Sequence, residues 1–86
     1  MNINELITIV KNKLQKEIII QDLKIEDKSY LHKKHKQNRE GWFHLKLIIK
    51  SDELVQLNKI ESTKKIYSIL DFELKNYIHS IQILIS

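Results

Sequence analysis

Four histidines carry most of the chemistry open to this chain: His32 and His35, three residues apart, then His44 and His79. Imidazole binds iron, zinc and copper and changes charge near neutrality, so each histidine is a candidate metal donor or proton-transfer group. His32 and His35 could reach one ion if the backbone turns between them, but two imidazoles alone make an incomplete site. The chain has no cysteine, so it cannot by itself form a disulfide, a thiolate nucleophile or a Cys-ligated zinc or iron centre. No acid, base and nucleophile stand out as a set, and the lone Gly41 excludes a Gly-rich phosphate loop. The expectation is a protein that binds partners, not an enzyme, with no small-molecule substrate.

The charge pattern points the same way. The chain carries a formal +4, yet Lys28, Lys33, Lys34, Lys36, Arg39, Lys46 and Lys50 meet only Glu40 in their window, which concentrates +6 there and leaves −2 for the rest. A local positive potential attracts anionic partners. Tyr30, Trp42 and Phe43 lie beside these cations, and a basic patch interleaved with aromatics is one way to hold single-stranded nucleic acid. The bland alternative, a solvated lysine-rich loop, accounts for the same residues.

At 86 residues there is room for one core, so a single domain spanning 1–86 is expected. No apolar run approaches the ~20 residues of a membrane span, and the start Met1-Asn2-Ile3-Asn4-Glu5 lacks the basic, apolar pattern of a signal peptide. A cytoplasmic location without membrane association is expected.

Hydrophobic periodicity supplies the elements that must position these groups. Ile3, Leu6, Ile7, Val10 and Leu14 recur at helical spacing, with Asn2 and Glu5 in capping-box relation, predicting a helix over 3–16. Residues 17–25, rich in β-branched isoleucine, read as the first strand, with Ile19, Leu23 and Ile25 on one face. Residues 26–41 read as a long loop ending at Gly41. Phe43, Leu45, Leu47 and Ile49 alternate with His44, Lys46, Ile48 and Lys50, a half-buried strand whose second face carries His44, Lys46 and Lys50 into solvent. Ser51 before Asp52 and Glu53 starts a short helix, a longer one runs from about Ser62 to Tyr77, and 78–85 closes as a strand. There the alternation groups His79 with Ile81, Ile83 and Ile85 as a core histidine.

The expected fold is therefore α+β in the order α-β-β-α-α-β, a three-stranded mixed sheet with its helices on one face. That order resembles a type II KH domain, but the Gly-x-x-Gly loop with which KH domains clamp a nucleic-acid backbone is missing.

Several segments together resemble the BolA family. They are Asp27-Lys28-Ser29-Tyr30-Leu31-His32-Lys33-Lys34-His35, then Phe43-His44-Leu45, then Ser51-Asp52-Glu53-Leu54, and finally Tyr77-Ile78-His79-Ser80-Ile81. The resemblance spans nearly the whole chain, with the pieces in the family's order and spacing. It implies a non-enzymatic partner of monothiol glutaredoxins that helps hold or pass on a 2Fe-2S cluster, some members of the family acting as DNA-binding regulators. In such complexes glutaredoxin and glutathione are expected to supply thiolates. The BolA-like chain is expected to add a loop ligand, matched by His35, with His32 as a second candidate, and a histidine near the start of the last helix. The stretch corresponding to the family's Arg-His-Arg motif reads Ser62-Thr63-Lys64, so Thr63 stands where that histidine belongs, and a hydroxyl is a poor iron ligand. The resemblance leaves three outcomes open: altered cluster ligation, a cluster-free contact with glutaredoxin, or another role. It marks Lys33, Lys34, Lys36, Arg39, Lys46, Lys50, Thr63 and Lys64 as the contact surface for glutaredoxin or, in the alternative, DNA.

Overall fold

Asn2 opens the first helix as its sequence suggests: its side chain accepts from the Glu5 amide at 2.8 Å and its own amide group donates to the Glu5 carboxylate at 3.0 Å. In the computed structural model, which describes residues 1–29 and 42–86, this helix is α1, Ile3–Glu17. It buries Leu6, Val10 and Leu14 along one stripe.

The chain then leaves the helix with Ile18 turned into the core and Ile19, 70% exposed, turned out. The strand expected from residue 17 begins only at Asp22, as β1 (Asp22–Asp27). The reason is the partner. Strand β2 (Phe43–Lys50) ends at Lys50, and the antiparallel ladder runs from Asp22 opposite Lys50 to Asp27 opposite Leu45. Among the described residues, 18–20 have no strand opposite them. In the other direction Glu26 and Asp27, read as loop, join the strand because β2 extends far enough to bond them.

Strand β2 has the bounds and alternation expected of it, with Leu45, Leu47 and Ile49 buried on one face. Ser51 caps the four-residue α2 (Asp52–Val55) by accepting from the Leu54 amide at 3.2 Å. The long helix expected from Ser62 starts earlier, at Lys59, because the Asn58 side chain caps it by accepting from the Glu61 amide at 2.8 Å. It is also divided into α3 (Lys59–Ile69) and α4 (Asp71–Asn76) at Leu70, whose ψ of 16° leaves the helical range. Helical hydrogen bonds continue through the joint, from the Leu70 amide to Ile66 at 3.0 Å and from the Leu74 amide to Leu70 at 2.9 Å.

Strand β3 (Ile78–Ile85) pairs parallel with β2, giving a sheet of order β1-β2-β3 that is antiparallel on one side and parallel on the other. A parallel return needs a crossover, which the helices provide. The core lies between the helices and the Leu45–Leu47–Ile49 face, joined by Leu54, Ile66, Leu70 and Ile78. No helix among the described residues is long and apolar enough to cross a membrane.

Candidate functional site

One irregularity in the sheet decides where the histidines point. Phe43 pairs with Ile78, but the next residue, His44, pairs with Ser80, so β3 holds one extra residue at this place. From there on Leu45, Leu47 and Ile49 lie beside Ile81, Ile83 and Ile85 in step. The bulge lets both Ile78 and Ile81 face the core although they are three apart, and the residue it displaces is His79.

The two strand histidines therefore exchange the environments expected of them. His79 is exposed, not a core residue, and its ring lies edge-on to Trp42 at a centroid distance of 6.2 Å and tilted against His44 at 5.0 Å. His44 does stand on the face opposite Leu45, yet it is only 5% exposed. Its Nδ1 shares a 2.6 Å hydrogen bond with the Ser80 hydroxyl, so a polar group on a nominally open face is covered and satisfied. The signal that could have revealed this is the spacing Ile78, His79, Ser80, Ile81: two consecutive polar residues between core isoleucines break a period of two.

The backbone of His44 is also the anchor of the preceding segment. Its carbonyl accepts from the Lys28 amide at 2.7 Å and its amide donates to the Ser29 hydroxyl at 3.1 Å. Ser29 is held in turn by its own amide donating to the Asp27 carboxylate at 2.9 Å. Ser29 and Trp42, the residues flanking 30–41, thus converge on the corner formed by His44, His79 and Ser80. His32, His35, Lys33, Lys34, Lys36 and Arg39, together with the expected loop around them and its end at Gly41, lie outside the described residues.

The other expected contact residues separate into two places. Lys46 and Lys50 are on the sheet face opposite the core, where the ladder sets Glu26 directly across from Lys46 and Asp22 across from Lys50. Counting charges along the chain missed both acids because they precede the basic window. Thr63 and Lys64 are on α3, where with Ile60, Tyr67, Ser68 and Asp71 they line a cleft of about 570 Å³. Ser62 beside them is buried, its hydroxyl donating to the Lys59 carbonyl at 3.0 Å.

As a donor set, the corner offers one exposed imidazole, His79, next to the segment that carries two more. No group of three His, Cys, Asp or Glu side chains among the described residues is placed to hold a metal ion. One exposed imidazole is enough for a single terminal ligand and too few to hold a metal ion alone. Imidazole ligation of an iron in a 2Fe-2S cluster is established iron–sulfur chemistry.

The fold defines a class, and solved structures share it. The BolA domain of SufE1 from Arabidopsis thaliana matches with a TM-score of 0.79 and 28% identity, covering all of this chain and 93% of that one. BolA1 from the same plant matches with a TM-score of 0.73 and 26% identity, covering 92% and 87%. The family model described as BolA-like protein matches residues 14–86, and the chain belongs to the BolA-like family. Among its relatives, the "DNA-binding transcriptional regulator BolA" of Haemophilus influenzae is 34% identical over 73 residues, 85% of this chain and 68% of that protein.

Proposed function

We propose that this chain is an accessory protein that docks on a monothiol glutaredoxin and takes part in assembly or trafficking of a 2Fe-2S cluster, with His35 and His79 as its imidazole ligands. The observation that carries this reading is the exposure of His79 at the corner where both flanks of the 30–41 segment meet. His35 is six residues from Ser29 and seven from Trp42, a tether of roughly 20–25 Å at full extension. His32 is nearer to Ser29 and is the alternative donor from the same segment. The bound cluster supplies the redox and sulfide-transfer chemistry; this chain supplies neutral imidazole donors, while thiolates come from glutaredoxin and glutathione.

On this reading position 63 does not have to be a histidine. The second ligand comes from the start of β3 rather than from α3, and Thr63 with Lys64 belongs to the docking surface. Adding the apo protein to cluster-loaded glutaredoxin is expected to change the visible circular dichroism, and His35→Ala and His79→Ala are each expected to remove that change. Thr63→Ala, which alters the docking surface but no ligand, should weaken that change at most and not remove it. An unaltered spectrum on adding the wild-type chain overturns the proposal, and loss of the change in Thr63→Ala but not in His79→Ala would return the ligand to α3.

A second reading, DNA binding, is favoured by the name of the Haemophilus influenzae relative. For this chain it would rest on Lys33, Lys34, Lys36 and Arg39, since Lys46 and Lys50 each face an acid across the ladder.

A further inference from the structure

We propose that His44 is a positioning residue: it latches the segment preceding residue 30 to the bulge of β3 and thereby determines that Ser80, not His79, is the ladder partner of position 44, leaving His79 as the displaced residue. The consequence for cluster ligation rests on the reading of His79 given above; the latch itself rests only on described contacts.

Two polar residues, His79 and Ser80, separate the core residues Ile78 and Ile81, and the ladder has room for one of them opposite position 44. Burial of Ile78 and Ile81 requires an extra residue between them but does not say which residue is extra. The 2.6 Å bond between His44 Nδ1 and the Ser80 hydroxyl makes that choice. With Ser80 held as the ladder partner, His79 is the displaced residue, and its ring settles against His44 at 5.0 Å and Trp42 at 6.2 Å.

The same residue holds the other flank. Through its carbonyl and amide His44 bonds Lys28 and Ser29, and the Asp27 carboxylate fixes Ser29. This explains two residues that ligand chemistry leaves unused, the Asp27 and Ser29 of the Asp-x-Ser-x-x-His-x-x-His stretch. They tie the chain to the strand immediately before the segment that carries His32 and His35. An aliphatic residue at position 44 could fill the covered space, but it could not distinguish Ser80 from His79. Position 44 thus joins three elements of the corner: the end of β1, the start of β2 and the bulge of β3.

The test is made first on the isolated chain by NMR, reading the ring protons of His79, in which the neighbouring Trp42 and His44 rings are expected to produce ring-current shifts. Trp42, the only tryptophan, adds an emission signal from the same place. Ser80→Ala removes one exposed hydroxyl, and its expected result is loss of the ring-current shifts of His79 with a changed Trp42 emission. Ser80→Thr, which restores a hydroxyl, is expected to recover both. At position 44, His44→Leu keeps bulk and is expected to lose the signals, whereas His44→Asn keeps a polar atom near Nδ1 and is expected to retain them in part. Wild-type signals in both Ser80→Ala and His44→Leu overturn the proposal, and so does an equal loss in His44→Leu and His44→Asn, which would make position 44 a matter of packing. A second arm adds cluster-loaded glutaredoxin: mispositioning of a ligand by loss of its support is expected to weaken the mixed cluster about tenfold in Ser80→Ala. If the NMR signals are lost but the mixed cluster is unaffected, the latch stands and the ligand role of His79 fails. If the wild-type chain forms no mixed complex, the proposed function fails and the latch is judged by the NMR arm alone.

Discussion

Ser51 is fully buried and uses every polar atom it has. Its hydroxyl donates to the Ile19 carbonyl at 2.7 Å and accepts from the Leu54 amide at 3.2 Å, while its own amide donates to the Ser86 carbonyl at 2.9 Å. One side chain therefore caps α2 and pins the irregular stretch after α1 to the end of β2. Ser51→Ala removes the cap and leaves a carbonyl short of a partner, at an expected cost of about 1–3 kcal/mol. Urea denaturation should show a lower midpoint with an unchanged slope. The capping role was legible from Ser51-Asp52-Glu53, since capping is a local relation between a residue and the next turn. The bond to Ile19 was not, because it joins residues 32 apart. His44 and His79 differ from Ser51 in kind: their environments depend on which residue of a neighbouring strand they meet.

At the scale of elements, α1 and α4 are joined by an ion pair between Lys13 and Glu73, 2.7 Å at its shortest, with the Glu73 side chain 4% exposed and that of Lys13 41% exposed. Lys13 also lies 5.8 Å from the centre of the Phe72 ring. Glu73 follows Ile66 and Leu70 at helical spacing, which places it on the buried face of α4 and makes its carboxylate dependent on Lys13. Lys13→Met is expected to destabilise the fold by about 1–3 kcal/mol, a range kept below that of a fully buried pair because Lys13 is partly solvated. Adding Glu73→Gln should recover part of that loss, and a double-mutant cycle by chemical denaturation measures the coupling. Equal, additive losses would show that the two residues do not act as a pair. The division of α3 from α4 at Leu70 was not legible, since no proline or glycine marks it and the apolar spacing runs straight through.

For the whole molecule, the question is where the excess positive charge is available. The sheet returns Glu26 and Asp22 to the neighbourhood of Lys46 and Lys50, and Lys28 lies within 3.5 Å of Glu26, so the other cations of the basic window are Lys33, Lys34, Lys36 and Arg39, which lie outside the described residues. If DNA is bound, these four predict a slope of log affinity against log salt of about −4. Lys46→Gln and Lys50→Gln should leave that slope unchanged, as fluorescence anisotropy at a series of salt concentrations would read. A steeper slope that falls with either substitution would place nucleic acid on the sheet face instead.

The sequence by itself determined the kinds of element and several of their limits: α1 from Asn2, β2 and β3 to the residue, the cap at Ser51, and the burial of Leu45, Leu47 and Ile49. Each of these follows from a period or a cap, a relation among residues close along the chain. It also carries the motifs that resemble the BolA family. Only the tertiary structure decided that β1 waits until Asp22, that Lys46 and Lys50 face acids, and that His44 is covered while His79 is exposed. All three depend on strand pairing, and register is set between distant segments. One extra residue in β3 reverses the faces of the residues before it, and no period read along a single strand contains that information.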